Sequence, residues 1–297
     1  MKEKVVVTGG AGFIGSNLVN GLVEKGYKVH VIDNLVAGKK ELVNPQAVFH
    51  QIDIRSLEDI QKIINGAKYV FHLAALPRVQ GSIDDPLGTD EVNVGGTLNV
   101  LIAAKNAGVK KIVFSASAAA YGDQTELPLR ETMETAPKSP YGLHKVIGEQ
   151  YLKLFSEIYQ LPTVSLRYFN VYGPNQSAEG SYPLVIAKFM DLKKKGLPFT
   201  ITGTGEQTRD FVHVSDVVRA NIMSAESEKV GKGEVINIGS GKGTSVKEVA
   251  EMIGGPIQYI EARLEPKDSI ASIARAKELL GWEPKTSLEE GIKALSL

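Results

Sequence analysis

Two side chains with acid–base chemistry stand four residues apart in the segment SPYGLHK, namely Tyr141 and Lys145. The helical periodicity that runs from Pro140 to Tyr159 predicts that both project from one face of a helix. A phenol has a pKa of about 10, and a neighbouring ammonium lowers that pKa because it stabilises the phenolate. The spacing therefore suggests a tyrosine that exchanges protons near neutral pH, although a Tyr–Lys pair at this spacing is also a common surface contact.

A glycine-rich segment, TGGAGFIGS, lies near the N-terminus between an expected strand and an expected helix. Gly10, Gly12 and Gly15 satisfy the pattern G-x-G-x-x-G, and Gly9 allows a second reading, G-x-x-G-x-x-G. Glycines at these positions permit a tight turn and let a pyrophosphate approach the free N–H groups at a helix N-terminus. The alternative is a glycine-rich turn that binds no ligand.

Asp33 ends the second expected strand, about twenty residues after the glycines. A carboxylate at this place accepts hydrogen bonds from an adenosine ribose and repels a 2′-phosphate. The spacing thus favours NAD over NADP, and the alternative for Asp33 is a solvated acid at a strand end.

The elements that must position these residues alternate between strand and helix in the first half of the chain. The expected strands are KVVVTGG, KVHVIDN, AVFHQIDI, KYVFHLAA, KKIVFSAS and PTVSLRYFN, and SNLVNGLVEKG and LEDIQKIINGA read as helices between them. Strict alternation predicts an α/β fold, a doubly wound parallel Rossmann sheet. The pattern loosens after Asn170, where we place a boundary between residues 1–170 and a smaller domain, 171–297, with later segments free to return to the first domain. Two short strands, PFTIT and RDFVHV, are expected in the second part.

Composition narrows the chemistry of this chain of 297 residues, whose formal net charge is zero. There is no basic run for nucleic acid and no cysteine for disulfides, thiolate catalysis or metal binding, and the five histidines lack metal-ligand spacing. No apolar run approaches the roughly 20 residues that span a bilayer. We therefore expect a soluble cytoplasmic protein that binds neither nucleic acid nor membrane and holds no metal.

The ordered motifs resemble those of the extended short-chain dehydrogenase/reductases, in the NAD-dependent epimerase/dehydratase family. They are TGGAGFIGS, Asp33-Asn34, Asp53-Ile54, HLAA, Tyr121-Gly122, Y-x-x-x-K, RYFNVYGP and TRDFVHVSDV, and they run from Lys4 to about Leu295. The resemblance implies tightly held NAD in the Rossmann domain and a UDP-sugar substrate in a smaller C-terminal α/β substrate-binding domain.

The resemblance also implies roles for individual residues. The catalytic residues would be Ser117, Tyr141 and Lys145, with Ser117 bonding the reacting hydroxyl. The residues that hold NAD would be Gly9, Gly12, Phe13, Ile14, Gly15, Asp33, Asn34, Asp53, Ile54, Leu73, Ala74, Ala75, Asn93, Tyr141, Lys145 and Tyr168. The residues that bind the UDP-sugar would be Ser117, Tyr141, Asn170, Arg209 and Asp268.

Three of the substrate positions have structural alternatives. Asn170 could cap a turn, Arg209 and Asp210 could pair at the surface, and Asp268 could cap a helix. The substrate-binding roles of these three residues and their structural alternatives are both predictions.

The segment FSASAAAYG separates the reactions that this family performs. Related dehydratases carry an Asp/Glu pair, and related decarboxylases a glutamate, where this chain has Ala118 and Ala119. Alanine cannot transfer a proton, so the resemblance implies a UDP-glucose/UDP-galactose 4-epimerase that uses only Ser117, Tyr141 and Lys145. A decarboxylase, 4,6-dehydratase or 4-reductase, and a non-catalytic NAD sensor, are the alternatives.

Other positions bear on the substrate. Ser272 falls where some glucose-restricted relatives have tyrosine, which suggests room for an N-acetylhexosamine. Glu265 replaces an expected arginine, with Arg263 two residues earlier, and Ile270 and Arg275 also depart from the family pattern. Arg78 replaces a small residue and either reaches a phosphate or lies exposed.

A homodimer is also implied, because the helices around Asn93 to Asn106 and Tyr141 to Tyr159 match those that pair in family dimers. Their apolar faces could equally pack on the sheet.

Overall fold

The computed structural model describes residues 2–177, 185–261 and 268–295. Its strands are β1 Lys4–Thr8, β2 Lys28–Asp33, β3 Val48–Gln51, β4 Tyr69–His72, β5 Lys111–Ser117, β6 Thr163–Tyr168, β7 Val171–Tyr172, β8 Phe199–Thr202, β9 Thr208–Arg209, β10 Val212–His213, β11 Lys232–Ile238, β12 Thr244–Ser245, β13 Ile257–Ile260 and β14 Asp268–Ser269. Its helices are α1 Phe13–Glu24, α2 Leu57–Ile64, α3 Val79–Asp84, α4 Pro86–Asp90, α5 Gly96–Ala107, α6 Pro140–Tyr159, α7 Val185–Lys194, α8 Val214–Glu226, α9 Val246–Ile253, α10 Ala274–Leu280 and α11 Leu288–Leu295.

A parallel sheet of seven strands in the order β3-β2-β1-β4-β5-β6-β11 forms the larger half. The six strands expected from the sequence are all present in it, and the predicted doubly wound α/β fold is confirmed. Strands β4 and β6 are buried along their whole length. Burial of every residue along a strand is typical of strands that helices cover on both faces.

The seventh strand, β11, comes from the part of the chain after Asn170 and pairs with β6. Helix α8 also returns and packs against α1. The chain after residue 170 therefore contributes to both halves, and the division into 1–170 and 171–297 stays a prediction.

Buried apolar side chains form a layer on each face of the sheet. On one face Leu18 and Leu22 of α1 meet Val217 of α8. On the other face α2, α5 and α6 contribute Ile60, Leu101 and Leu152, among others. The smaller half has a core of its own around Phe189, Phe199, Val249 and Ile292.

The segment RDFVHV does not form the single strand that its sequence predicts. Thr208–Arg209 and Val212–His213 are separate strands, in a three-stranded and a two-stranded sheet respectively. Asp210 lies between them, fully buried, and its carboxylate accepts hydrogen bonds from other loops. A buried carboxylate needs hydrogen-bond partners. Asp210 finds them in other loops, and the extended run is interrupted at this residue.

Membrane insertion finds no support in the helices, since within residues 2–177, 185–261 and 268–295 none combines the length and the apolar character that a crossing requires.

Candidate active site

The glycine-rich turn joins β1 to α1 and is built for close backbone contacts. Gly9 has φ +73°, and a Cβ placed on it would come within 2.6 Å of the N atom of Ala74. A Cβ on Gly15 would come within 2.0 Å of the carbonyl oxygen of Gly9. Helix α1 begins at Phe13 without a side-chain cap on Gly12, so the first N–H groups, those of Phe13 and Ile14 included, face the turn.

Asp33 binds to this turn rather than to bulk solvent. Its Oδ2 accepts a hydrogen bond from the N–H of Ala11 at 3.0 Å, and its Oδ1 accepts one from the N–H of Leu35 at 2.8 Å. The side chain is 8% exposed, so the reading as a solvated strand-end acid is wrong. The carboxylate lies at the carboxyl end of β2, beside the glycines.

The residues predicted to meet adenine and its ribose form a polar group at the end of β3. Asn34 donates from Nδ2 to Oδ2 of Asp53 at 3.0 Å, and Arg55 binds the same carboxylate at 2.9 Å. The hydrogen bond from Arg55 lowers the pKa of Asp53 to about 2 and outweighs the effect of its burial. Ile54 is buried against Gly96.

The loop after β4 is held in place by an amide clamp. Asn93 accepts from the N–H of Leu76 at 2.8 Å and donates to the carbonyl of Leu76 at 3.1 Å. Leu73 and Ala74 lie between this clamp and Gly9, and Ala75 follows them. Asn93 itself lies in a π-helical turn, Glu91–Gly95, a distortion that is common at functional sites. Its side chain thus shapes the loop that faces the glycine turn.

The histidine of the HLAA motif, for which no role was predicted, is buried and ties the same strands together. His72 is 1% exposed, and its ring nitrogens lie 2.7 Å from Oγ1 of Thr8 and 2.9 Å from Oγ1 of Thr97. Burial, together with the charge of Lys145, lowers the pKa of His72 to about 3, so the ring is neutral. Its partners are 64 and 25 residues away, and no local pattern could have revealed them.

Ser117 ends β5 and begins a short 3₁₀ turn, Ala118–Ala120. Its Oγ accepts a hydrogen bond from the N–H of Ala119 at 3.2 Å. Helix α6 packs directly on this turn, because a Cβ on Gly142 would lie 2.8 Å from the carbonyl oxygen of Ala119. The missing side chain of Gly142 therefore lets the helix that carries Tyr141 approach the backbone of this turn.

Tyr141 lies in the first turn of α6. Ser139 caps that turn by accepting from the N–H of Gly142 at 3.1 Å, and the N–H of Tyr141 donates to Oγ of Ser82 at 3.1 Å. Burial raises the pKa of the Tyr141 phenol, and a hydrogen bond with Ser117 acts in the opposite direction. In the protein alone the pKa of Tyr141 is thus raised by burial, and the lowering expected from Lys145 is not found.

Lys145 lies one turn further along the buried face of α6. Its ammonium donates to the carbonyl of Ser115 at 2.6 Å and lies 5.8 Å from the centre of the Tyr141 ring. Burial lowers the pKa of Lys145 to about 8, while the charge of Glu149 raises it. Lys145 is buried and Tyr141 half-buried, so the reading as a surface contact is wrong.

Tyr168 ends β6 and pairs in register with Ser117. Its hydroxyl donates to Oδ1 of Asn221 on α8 at 2.9 Å. Burial raises its pKa, so this phenol stays protonated at neutral pH. Its predicted place in the cofactor pocket stays a prediction.

Three of the predicted substrate residues lie near one another, namely Asn170, Arg209 and Asp268. Asn170 donates from Nδ2 to the carbonyl of Asp210 at 2.9 Å, next to Arg209. Strand β14 runs parallel to β9, which places Asp268 opposite Thr208 and Ser269 opposite Arg209. Two structural alternatives are wrong: Asp210 is fully buried rather than paired at the surface, and Asp268 bonds Oγ1 of Thr208 at 2.6 Å within a strand pair rather than capping a helix.

The structure describes some of the residues that depart from the family pattern or bear on the substrate, and not others. Arg263 and Glu265 lie outside the described residues. Ser272 donates its N–H to the carbonyl of Leu129 at 2.8 Å. Arg78 is exposed at the start of α3.

The residues present fit the cofactor that the sequence predicts. The glycine turn is packed so tightly on backbone atoms that no side chain fits at Gly9 or Gly15, α1 begins without a side-chain cap, and the Asp33 carboxylate borders the turn. Free N–H groups suit a pyrophosphate, and the carboxylate suits a ribose without a 2′-phosphate. Ser117, Tyr141 and Lys145 lie at the same carboxyl edge of the sheet.

The family model described as NAD dependent epimerase/dehydratase family matches residues 5–239. The chain belongs to the NAD-dependent epimerase/dehydratase family. A putative UDP-glucose 4-epimerase of Methanocaldococcus jannaschii is 41% identical over 97% of this chain and 96% of that relative.

Solved structures of the family are similar over almost the whole chain. A UDP-glucose 4-epimerase of Thermotoga maritima with UDP-glucose has a TM-score of 0.92 at 42% identity, covering 99% of this chain and 97% of that one. A UDP-N-acetylglucosamine 4-epimerase of Methanobrevibacter ruminantium, in complex with UDP-N-acetylmuramic acid, has a TM-score of 0.93 at 39% identity, covering 99% and 98%. The protein is an isomerase of this family, and its cofactor is NAD.

Proposed function

We propose that the enzyme interconverts UDP-glucose and UDP-galactose by epimerisation at C4 of the sugar. The observation that carries the proposal is the set of half-buried Ser117 and Tyr141 with buried Lys145, beside Ala118 and Ala119, which contain no acid. An elimination or a decarboxylation needs a further proton carrier at these positions, whereas the exchange of one proton at one hydroxyl does not.

In the proposed mechanism the chain's residues move one proton and hold the sugar. Ser117 bonds the C4 hydroxyl, and the Tyr141 phenolate removes its proton. We assign to the Lys145 ammonium the stabilisation of this phenolate once NAD is bound, against the burial that raises the pKa of Tyr141 in the protein alone. Held at the glycine turn and Asp33, bound NAD would supply hydride transfer from and to C4 of the sugar. Tyr141 returns the proton to the C4 oxygen, which becomes the new hydroxyl, so no redox partner is consumed.

The nucleotide must stay fixed while the 4-keto sugar turns over. We assign this anchoring to Asn170, Arg209 and Asp268, since a guanidinium suits a diphosphate and a carboxylate suits a ribose hydroxyl. The short strands β9 and β14 support the assignment because they hold the latter two side chains on neighbouring backbones.

The test is incubation of the purified enzyme with UDP-galactose and no added cofactor. We expect UDP-glucose to form without net accumulation of NADH. Carbon dioxide from UDP-glucuronate, or net NADH, would favour a decarboxylase, a dehydratase or a reductase, and bound NAD with no turnover of any UDP-sugar would favour a sensor.

Tyr141→Phe separates the catalytic role from a structural one. We expect a loss of turnover of about 100- to 10,000-fold with NAD still bound. Tyr259→Phe is the matched control, since Tyr259 is 52% exposed on β13. Near-normal epimerisation by Tyr141→Phe would contradict the mechanism.

We also propose that the enzyme accepts UDP-N-acetylhexosamines. The small side chain of Ser272 and the similarity to the M. ruminantium UDP-N-acetylglucosamine 4-epimerase support this. We expect comparable kcat/KM for UDP-glucose and UDP-N-acetylglucosamine, and Ser272→Tyr should depress the second selectively. A strong preference of the native enzyme for UDP-glucose would refute broad specificity.

Finally, we propose a homodimer formed through α5 and α6. The outward face of α6 carries exposed apolar side chains at helical spacing, among them Leu143, Leu154 and Ile158, which is 60% exposed. We expect a dimer by light scattering that Ile158→Glu dissociates. Leu197→Glu, at an apolar residue exposed elsewhere, should leave it intact, and a monomeric native enzyme would contradict the proposal.

A further inference from the structure

A buried ion pair lies behind Lys145 and takes no part in the proposed mechanism. Glu149 on α6 and Arg167 on β6 are 6% and 3% exposed, and they form two parallel hydrogen bonds of 2.8 and 2.7 Å. Burying two charges costs free energy that their attraction often fails to recover. A pair at this depth therefore calls for a role beyond stability.

The position of Glu149 relative to Lys145 indicates that role. The two side chains are one helical turn apart on the buried face of α6, and Lys145 is 4% exposed. Its ammonium contacts the neutral carbonyl of Ser115 and lies over the ring of Phe114, 4.8 Å from the centre. Neither neighbour carries a negative charge, so burial favours loss of the proton, and the charge of Glu149 opposes that loss.

Other titratable groups surround Lys145 and do not replace this carboxylate. His72 on β4 is neutral, and Tyr141 is a phenol whose pKa burial raises. His144 on α6 is buried, and its pKa is lowered by burial; it lies 3.5 Å from Asp90 of α4, whose side chain is half exposed. Tyr168, at the end of β6, donates its hydroxyl hydrogen to Asn221.

Arg167 keeps Glu149 in place and is itself held. Its guanidinium lies 4.5 Å from the centre of the Tyr121 ring, and the Tyr121 hydroxyl donates to Oδ1 of Asn237 at 2.7 Å. Asn237 in turn donates to the carbonyl of Leu129 at 2.9 Å. The carboxylate next to Lys145 is thus fixed by groups from β6, β11 and the segment after β5.

We propose that Glu149, fixed by Arg167, is a positioning residue that keeps the Lys145 ammonium protonated beneath Tyr141 and so sets the alkaline limit of activity. The inference rests on the proposed function only in its prediction of a change in kcat. The protonation of Lys145 can be measured without turnover.

The experiment uses the NAD-loaded enzyme and two readouts, each from pH 6 to pH 10. The first is the rate of trace acetylation of Lys145 by acetic anhydride, quantified by mass spectrometry, which follows the neutral amine. The second is kcat with saturating UDP-galactose. For Glu149→Gln we expect the acetylation midpoint and the alkaline limb of kcat to move to lower pH. The ratio of kcat at pH 8.5 to kcat at pH 6.5 should be about tenfold lower in this variant than in the native enzyme.

Two further variants separate charge from folding, because Glu149→Gln leaves Arg167 buried without its carboxylate. Glu149→Gln/Arg167→Met removes both charges, and we expect it to regain thermal stability while the acetylation midpoint stays shifted. Glu149→Asp keeps the charge and should restore the native profile. Glu157→Gln, at an exposed carboxylate on α6, is the control and should change neither readout.

An unshifted acetylation midpoint in both variants that carry Glu149→Gln would overturn the inference, whatever their stability. An enzyme that turns over no UDP-sugar but shows the shifted midpoint would instead overturn the proposed function and leave the role of Glu149 intact.

Discussion

The buried ring of His72 makes the stability of this enzyme depend on pH. In the folded protein its pKa is lowered to about 3 from an ordinary value of 6.5, because burial disfavours the imidazolium. The unfolded chain therefore binds a proton as the pH falls below about 6.5, while the folded protein does not, and folding stability is lost as the pH falls. The difference between the two pKa values amounts to about 5 kcal/mol in full, of which about 2 kcal/mol is lost between neutral pH and pH 5.

The perturbation is His72→Gln, which keeps hydrogen-bonding groups near Thr8 and Thr97 and removes the titration. The assay is urea unfolding at pH 7.5 and pH 5.0, at constant ionic strength and with saturating NAD. We expect the variant to be less stable at pH 7.5 but to lose about 2 kcal/mol less than the native enzyme on going to pH 5. Equal losses would show that His72 is not the source of the acid sensitivity, and the reasoning from burial would be refuted.

Three further substitutions test other contacts. Gly15→Ala should abolish NAD retention, because its Cβ would come within 2.0 Å of a carbonyl oxygen of the glycine turn. Gly95→Ala is the control and should retain NAD, because a Cβ there meets nothing within 4 Å. The absorbance of the cofactor released on denaturation measures both. Lys111→Met should lower the free energy of unfolding by about 1–3 kcal/mol, because the buried ammonium bonds two carbonyls at the end of α8. Lys110→Met, at an exposed lysine, should change that free energy little in the same urea titration. Ser139→Ala should cost about 1 kcal/mol, measured by urea unfolding, because it removes the cap of α6; unchanged stability would contradict that role.

Local signals in the sequence account for much of the fold and for part of the site. The glycine turn, the carboxylate at the end of β2 and the helix that carries Tyr141 and Lys145 each follow from residues within a few turns of one another. Helix α6 spans Pro140–Tyr159, the limits that its periodicity indicates.

The remainder of the site depends on contacts between distant segments. His72 meets Thr8 and Thr97, and Glu149 meets Arg167, only after the strands have aligned. For the same reason the sequence did not predict that Asp210 interrupts a strand, because one of its partners, Ala271, is 61 residues away.

The return of β11 to the large sheet joins the two halves of the chain at more than one point. The chain leaves the sheet after β6, builds β8 and β9 in the smaller half, comes back through α8 and β11, leaves again and returns once more in α10, which packs on β11. Because the chain passes between the halves more than once, any movement of one half against the other must bend several connecting segments together. For the same reason, cutting the chain at one point does not give two separate halves.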